Sequence, residues 1–197
     1  DKSGYYYTKA IRHASEAQLK SLEIWATLSY AGYLYNYRQM TKALPVFLAA
    51  IDKIEKTDIN ELILPAESFT KIGFYMDTIG DDSEAIAYLK KAKEYTKTNT
   101  SEYAAILDNL GMSYFKKGDL KNAEKNIRQS STLSKSIGDQ LRYAKTLGNL
   151  AQIYERNKDH KTAIQLVLED VRISKETKSE KNLMYAYTLL TRLYIAN

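Results

Sequence analysis

The sequence predicts an all-α protein, a right-handed superhelix of antiparallel helix hairpins containing about ten helices. Similar segments recur about every 40 residues. Within each segment, apolar residues follow the spacing of three and four residues that is typical of one helix face. Only 2 prolines and 8 glycines occur in 197 residues, which is too few for a loop-rich all-β fold. Because one hairpin cannot bury its own apolar stripe, successive hairpins must stack on one another.

The repeat is clearest in the second half of the chain. The segments Tyr103–Tyr114 and Tyr143–Tyr154 align without a gap at an offset of 40 residues. The pattern also extends backward, because Ile72-Gly73 lies 38 residues before Leu110-Gly111. Repeats of this length with matching apolar positions predict an array of helical hairpins.

Each repeat contains two helical patterns separated by a turn. In the third repeat the turn is Gly118-Asp119, and small residues at Gly111 and Ala123 allow two helix backbones to approach closely. The second helix carries its apolar stripe at Ala123, Ile127, Ser130 and Leu133. These patterns predict one array over residues 1–197. It has a leading helix near 3–18, hairpins near 20–58, 62–99, 102–138 and 142–179, and a final unpaired helix near 181–196.

Proline and serine positions refine the helix starts. We expect Pro45 in the first turn of its helix and Pro65 near the start of the next, since both positions tolerate proline. Ser83 and Ser101, each followed by glutamate, are consistent with helix N-termini.

Composition excludes several classes of function. The 29 basic and 24 acidic residues leave a net charge of +5, which is weaker than the basic surface of most nucleic-acid-binding proteins, so we expect no nucleic-acid partner. The sequence has 0 cysteines, which excludes disulfides and thiolate sites. No apolar run reaches the roughly 20 residues of a membrane span, so we expect no membrane insertion.

The chain begins at Asp1, so we expect a processed or excised piece. Its compartment could be cytoplasmic or periplasmic, and the sequence does not decide between the two.

The sequence carries no recognisable catalytic pattern. The two histidines, His13 and His160, fall in separate repeats. There is no glycine-rich phosphate loop, no cluster with metal-ligand spacing and no serine nucleophile in a turn. We therefore predict a protein that is not an enzyme and that has no cofactor and no metal site.

The repeats resemble the tetratricopeptide-repeat (TPR) family. The residues that carry the resemblance are Leu107, Leu110-Gly111, Tyr114, Ala123, Ile127 and Ser130, and then Leu147, Leu150-Ala151, Tyr154, Ala163 and Val167. The usual proline at the end of the second helix is missing, and the period exceeds the common 34 residues. The chain therefore resembles the long-repeat branch found in kinesin light chains and bacterial regulators. Its composition, rich in Tyr, Lys and Asn, is similar to that of sensor arrays in Bacteroidetes signalling proteins.

The resemblance implies a function and a set of site residues. In this family the first helices of successive hairpins line a concave groove that binds proteins or extended peptides. The chain would then be a non-catalytic binding module, the sensing or docking part of a larger signalling or transcriptional regulator. The alternative is a self-associating structural scaffold. The implied groove residues are Lys71, Phe74, Asp108, Asn109, Met112, Lys116, Lys145, Asn149, Gln152, Arg156 and Arg192.

Two of these residues, Asn109 and Asn149, are equivalent at the 40-residue offset and are poor helix formers. A side-chain amide both donates and accepts, so it suits the backbone of a bound peptide. The alternative is that they bond across a helix interface or face water. Gly148 either lets a ligand approach the groove or, as we favour, admits a neighbouring side chain.

Four cations have a similar pair of interpretations. They either clamp a ligand carboxylate or belong to solvated helix faces: Lys116, Lys145, Arg156 and Arg192.

The final predicted helix ends the array with an apolar stripe. Leu183, Tyr187, Leu190 and Tyr194 match the first helix of a hairpin, yet no second helix follows them. Because arrays of this kind normally end in a capping helix with a polar outer face, we expect this edge to contact another surface. The candidates are a second copy of the chain, which would make a homodimer, or a following segment.

Overall fold

The structure, a computed structural model, describes residues 2–196. Ten α-helices and one 3₁₀ turn, Ile59–Glu61, make up this range, and no β-strand occurs within it. The all-α prediction is therefore confirmed. The helices are α1 (Lys2–Glu16), α2 (Lys20–Asn36), α3 (Met40–Glu55), α4 (Pro65–Ile79), α5 (Asp82–Glu94), α6 (Ser101–Lys116), α7 (Leu120–Ser136), α8 (Gln140–Arg156), α9 (His160–Glu176) and α10 (Glu180–Ala196).

The helices form two layers. Apart from α3 and α4, which residues 56–64 connect, each helix packs against the next helix in the chain, and short turns make these neighbours antiparallel. In addition, α2, α4, α6, α8 and α10 each contact the next member of the same series. We call these five the inner helices, because their mutual contacts place them on the concave side of the stack. The outer helices are α3, α5, α7 and α9.

Glycine and aspartate make the tight turns between helices. Gly118 has a φ of +86°, which a residue without a Cβ adopts at no steric cost. The next residue, Asp119, accepts a hydrogen bond from the backbone N–H of Asn122 at 3.0 Å and caps α7. The side-chain and backbone hydrogen bonds from Asn122 lower the pKa of Asp119. Asp139 and Asp159 cap α8 and α9 in the same way.

The two serines expected at helix N-termini lie in the first turns of α5 and α6, but neither of them is the N-cap. The N-cap of α5 is Asp81, whose Oδ1 accepts from the N–H of Glu84 at 3.1 Å, and Ser83 lies inside the helix. The N-cap of α6 is Thr100, because Ser101 already has helical geometry. A cap must precede the first helical residue in order to receive the free N–H of the first turn.

Proline placement agrees with the prediction at one position and not at the other. Pro65 is the first residue of α4, where its missing N–H has no intrahelical partner to lose. Pro45 is the sixth residue of α3 and therefore lies beyond the first turn, where we expected it. At that position it leaves the carbonyl of Thr41 without its usual donor, and the helix continues to Glu55.

The layers pack most closely where the inner helix has a glycine. A Cβ on Gly111 would overlap the side chain of Ile127 and lie 3.1 Å from the carbonyl oxygen of Ala123. Gly73 has the same relationship to Leu89 one hairpin earlier, with a Cβ-to-Cγ distance of 2.6 Å. The glycines thus allow α4 and α6 to pack tightly on α5 and α7, and this fixes the orientation of the residues on the inner face.

Candidate ligand-binding groove

A cavity of about 410 Å³, which we call the C-terminal cavity, lies between α8, α9 and α10. It brings together four of the predicted groove residues. Most of its other lining residues were not predicted to take part in binding. The predicted residues are Lys145, Asn149, Gln152 and Arg192, and the rest of the lining is Gly148, Asp170, Lys181, Asn182, Tyr185, Ala186, Thr188 and Leu189.

The acid in this cavity, Asp170, extends from α9 and is only 3% exposed. Its Oδ1 accepts a 2.8 Å hydrogen bond from the hydroxyl of Ser174. Burial raises the pKa of Asp170 to about 6, although the hydrogen bond from Ser174 acts in the opposite direction. The sequence offered one signal for this residue, because Asp170 lies 40 residues after Ser130 and so places a charge in the buried stripe.

The facing residue on the inner helix is Gly148. A Cβ at this position would lie 3.0 Å from Asp170 Oδ2, which is closer than most real contacts of that kind. Gly148 therefore makes room for a neighbouring side chain, as the favoured interpretation expected. Gly148 and Asp170 both line the C-terminal cavity. Because residue 148 has no side chain, the carboxylate of Asp170 forms part of the cavity wall.

Asn149 is anchored to the adjacent inner helix. Its Nδ2 donates a 2.7 Å hydrogen bond to Oδ1 of Asp108, which is 0% exposed. Lys145 Nζ lies 2.7 Å from the other oxygen of Asp108, and the contact is ionic, since that oxygen accepts no hydrogen bond from the described residues. Gln152 Nε2 lies 3.5 Å from Asn149 Oδ1. Asp108 thus supports the groove from beneath its surface.

Arg192 and Arg156 surround a neighbouring cavity of about 380 Å³, which we call the rim cavity. Arg192 donates to both carboxylate oxygens of Glu155, at 2.7 Å and 2.6 Å, and so links α10 to α8. The guanidinium of Arg156 lies 5.4 Å from the ring centre of Phe115. Gln152 and Arg192 line this cavity as well as the C-terminal cavity, so the two cavities are adjacent.

Three more predicted residues, Lys71, Phe74 and Asn109, line an N-terminal cavity of about 520 Å³. Lys71 Nζ contacts Ser29 Oγ at 2.9 Å and Glu67 Oε1 at 2.7 Å. The amide of Asn109 is half-buried and makes no hydrogen bond with residues 2–196. The remaining lining is rich in aromatic rings: Tyr7, Ser29, Gly32, Tyr33, Tyr35, Asn36, Tyr37, Thr70 and Tyr75.

Three predicted residues, Asp108, Met112 and Lys116, do not line these cavities. Met112 packs against the core cluster that includes Ile127. Lys116 Nζ lies 2.6 Å from Asp77 Oδ2. Three of the four cations of the proposed clamp therefore have an acid from a neighbouring inner helix as partner, in the pairs Lys116–Asp77, Lys145–Asp108 and Arg192–Glu155. The free positive charge that a clamp requires is much reduced by these pairs.

Between residues 2 and 196, no three His, Asp or Glu side chains cluster closely enough to hold a metal ion. None of the ten described helices combines the length and apolar character that a membrane crossing requires.

Sequence comparison identifies the repeats. Residues 102–176, which comprise nearly all of α6 to α9, match the model of the tetratricopeptide-repeat family. No curated protein sequence matches the chain significantly.

Solved structures share the fold of the whole array. BtubC (BKLC) from P. vanneervenii matches with a TM-score of 0.75 and 14% identity over 99% of this chain and 83% of that chain. The TPR-like repeats of a Podosopora anserina kinesin light chain match with a TM-score of 0.68 and 17% identity over 89% and 87%. Aspartyl phosphate phosphatase F from Bacillus subtilis matches with a TM-score of 0.77 and 15% identity over 93% of this chain and 49% of that chain. At such identities the likeness concerns the fold alone.

Proposed function

Because this chain carries tetratricopeptide repeats in an α-solenoid, a fold that suits protein–protein interaction, we propose that it is a non-catalytic module that binds a protein or an extended peptide along its inner helices. One observation carries the proposal. Eight of the eleven groove residues line three cavities along the inner helices, namely the N-terminal, rim and C-terminal cavities. An extended chain that follows the groove would contact them in succession.

The chemistry of these cavities suits a peptide. Asn109 has an amide without a partner among the described residues, and Gln152 has an amide carbonyl that accepts no hydrogen bond in the same range. Such groups can satisfy the N–H and C=O of a bound backbone. The ring of Phe74 is exposed beside Tyr35, at a centroid distance of 5.6 Å, and offers an apolar surface for a side chain.

The module would serve as the sensing or docking part of a larger signalling or transcriptional regulator. The fold similarity to about half of aspartyl phosphate phosphatase F supports an array that is joined to further domains. Binding would require no chemistry from the array itself, in keeping with a sequence that has neither a nucleophile motif nor a phosphate loop.

Selection from a library of random linear peptides tests the proposal. We expect enriched peptides whose affinity falls about 5- to 150-fold in Asn109→Ala or Gln152→Ala, since an unpaired peptide group costs about 1–3 kcal/mol. The matched control is Lys125→Ala, which removes an exposed side chain from outer helix α7 and should change the affinity by less than about twofold. Failure to enrich any peptide, or equal losses in all three variants, would reject groove binding.

A self-associating scaffold is the second candidate, and one observation favours it. The outer face of α10 exposes large apolar side chains, including Tyr194 and Ile195, the latter 82% exposed. A scaffold predicts a dimer whose population rises with concentration and disappears in Ile195→Glu, a substitution that leaves the core intact. The groove-binding function predicts a monomer at all concentrations. Sedimentation equilibrium distinguishes the two.

A further inference from the structure

The two acids that lie buried in the described structure, Asp108 and Asp170, have different partners. Asp108 accepts from Asn149 and is paired with Lys145. Asp170 accepts only from the hydroxyl of Ser174, and no ion pair within residues 2–196 includes it. A buried carboxylate without a cation is costly, because its charge has left water without gaining an opposite charge.

The fold does not require an acid at this position. The equivalent residue 40 positions earlier is Ser130, which is also buried and which donates a 2.6 Å hydrogen bond to the carbonyl oxygen of Ala104. A small hydroxyl therefore satisfies the same place in the preceding hairpin. The acid in the last hairpin adds a charge that packing alone does not explain.

The unbonded oxygen of Asp170 faces the C-terminal cavity. Oδ2 lies beside Gly148, where a Cβ would approach it to 3.0 Å, and both residues line the cavity wall. The absence of a side chain at Gly148 thus leaves the carboxylate open to an incoming group. The cavity volume of about 410 Å³ is many times the roughly 30 Å³ that a water molecule occupies.

The other charges around the cavity leave this carboxylate without a counterion. Lys145 is paired with Asp108, and Arg192 with Glu155. Lys181 lies exposed in the cavity lining and forms no ion pair in the described range. Its positive charge repels a ligand that carries several cationic groups. It favours a ligand in which one basic group is flanked by neutral or acidic groups.

We propose that the C-terminal cavity is a subsite for one cationic group of a bound peptide, a primary ammonium or a guanidinium, which pairs with Asp170 beside Gly148. The inference rests on the proposed function, because it names the chemistry of one group of the same ligand. The raised pKa of Asp170, about 6, leaves the carboxylate ionised near neutral pH and so able to form the pair.

Small model compounds test the subsite on the whole chain. The probes are the N-methylamides of Nα-acetyl-lysine and Nα-acetyl-arginine, and alanine N-methylamide, which separate a side-chain ammonium, a guanidinium and a terminal amine. Nα-acetyl-norleucine N-methylamide is the matched neutral control. Titrations are followed by the backbone amide resonances of Gly148 and Asp170. We expect at least one cationic probe to bind about tenfold or more tightly than norleucine. Equal affinities for charged and neutral probes would overturn the proposal without the need for any variant.

Two substitutions locate the binding. Asp170→Asn keeps the size of the side chain and an acceptor for Ser174, and it should lower the affinity for the best cationic probe about tenfold or more. Gly148→Ala should also weaken binding by filling the space beside Oδ2. Lys125→Ala is the control on α7 and should bind as the original chain does. Unchanged binding in both Asp170→Asn and Gly148→Ala would reject the site.

The result is separable from the test of the proposed function. Library peptides that lose affinity in Gln152→Ala but keep it in Asp170→Asn would reject the cation subsite and leave groove binding in place. A failure to enrich any library peptide would reject groove binding, and the model-compound titrations would still measure whether Asp170 binds a cation.

Discussion

Asn149 Nδ2 donates a 2.7 Å hydrogen bond to Asp108 Oδ1 and so connects inner helix α8 to inner helix α6. Asn109, which is equivalent to Asn149 at the 40-residue offset, makes no such bond with any described residue. The two asparagines therefore have different surroundings. Of the two interpretations offered by the sequence, a bond across the helix interface describes Asn149, and an amide open to a ligand remains the proposal for Asn109.

Substituting the two asparagines separately should have unequal effects on stability. Asn149→Ala removes the donor to a fully buried carboxylate oxygen and should lower the free energy of unfolding by about 1–3 kcal/mol. Asn109→Ala removes no hydrogen bond and should change it by less than about 0.5 kcal/mol. Urea unfolding followed by circular dichroism measures both values. Equal effects would contradict the asymmetry between the two sites.

The stability of the chain should depend on pH through Asp170. Its pKa rises from 3.8 in the unfolded chain to about 6 in the folded chain, so the folded state holds the proton more tightly. Ionisation therefore costs stability as the pH rises from about 4 to about 6, and below this range both states are protonated. Asp170→Asn should remove this loss, and its stability relative to the original chain should increase by about 2–3 kcal/mol between the two ends of the range. A pH-independent difference would contradict the burial of an unpaired carboxylate.

Gly111 should not tolerate a methyl group, although alanine is the better helix former. Its Cβ would overlap Ile127, so Gly111→Ala should destabilise the chain by about 1–3 kcal/mol through overpacking. The control is Gly4→Ala in α1, where the nearest atom to the new Cβ is 3.7 Å away, on Tyr33. That substitution should leave stability unchanged or raise it by up to about 1 kcal/mol. Thermal unfolding of both variants measures the difference in their stabilities. Equal stabilities would contradict the close packing of α6 on α7.

Two buried tyrosines, Tyr75 and Tyr88, should ionise well above the ordinary range of a phenol. Burial raises the pKa of Tyr75 to about 12, and burial together with the nearby Glu55 carboxylate raises that of Tyr88 to about 12. Because the unfolded chain ionises at lower pH, these groups should reduce stability as the pH rises from about 10 to about 12. A spectrophotometric titration of phenolate absorbance should show a late component that decreases in Tyr75→Phe. A titration without any late component would contradict the burial of these two rings.

The sequence predicted those features of the fold that depend on the residues of a single helix face. The stripe around Leu107 and Gly111 predicted an inner helix and its close outer neighbour, because a period of 3.6 residues and a missing Cβ are local properties. The division into a leading helix, four hairpins and a final helix remains a prediction of the array's organisation. So does the similarity to Bacteroidetes sensor arrays.

The pairing of the groove cations could not be predicted. Lys116, Lys145 and Arg192 pair with acids 39, 37 and 37 residues away along the chain, and the choice of partner depends on the offset between stacked helices and on side-chain rotamers. The sequence placed these cations on one face and indicated that Asp108 and Glu155 offset part of their charge, yet it did not indicate which acid pairs with which cation. The burial of Asp170 could have been predicted from the sequence, because the repeat alignment places this acid at the buried position of Ser130.

The most direct test of the account is a map of where a selected peptide lies on the array. Amide chemical-shift changes on addition of a library-selected peptide should cluster on inner helices α4, α6, α8 and α10, and should include Asn109, Gln152 and Gly148. The outer helices α5 and α7 should change little, and α9 should change only around Asp170, which lines the C-terminal cavity. If the largest changes instead fall on the outer helices, or on the exposed face of α10 around Ile195, groove binding by this chain is contradicted.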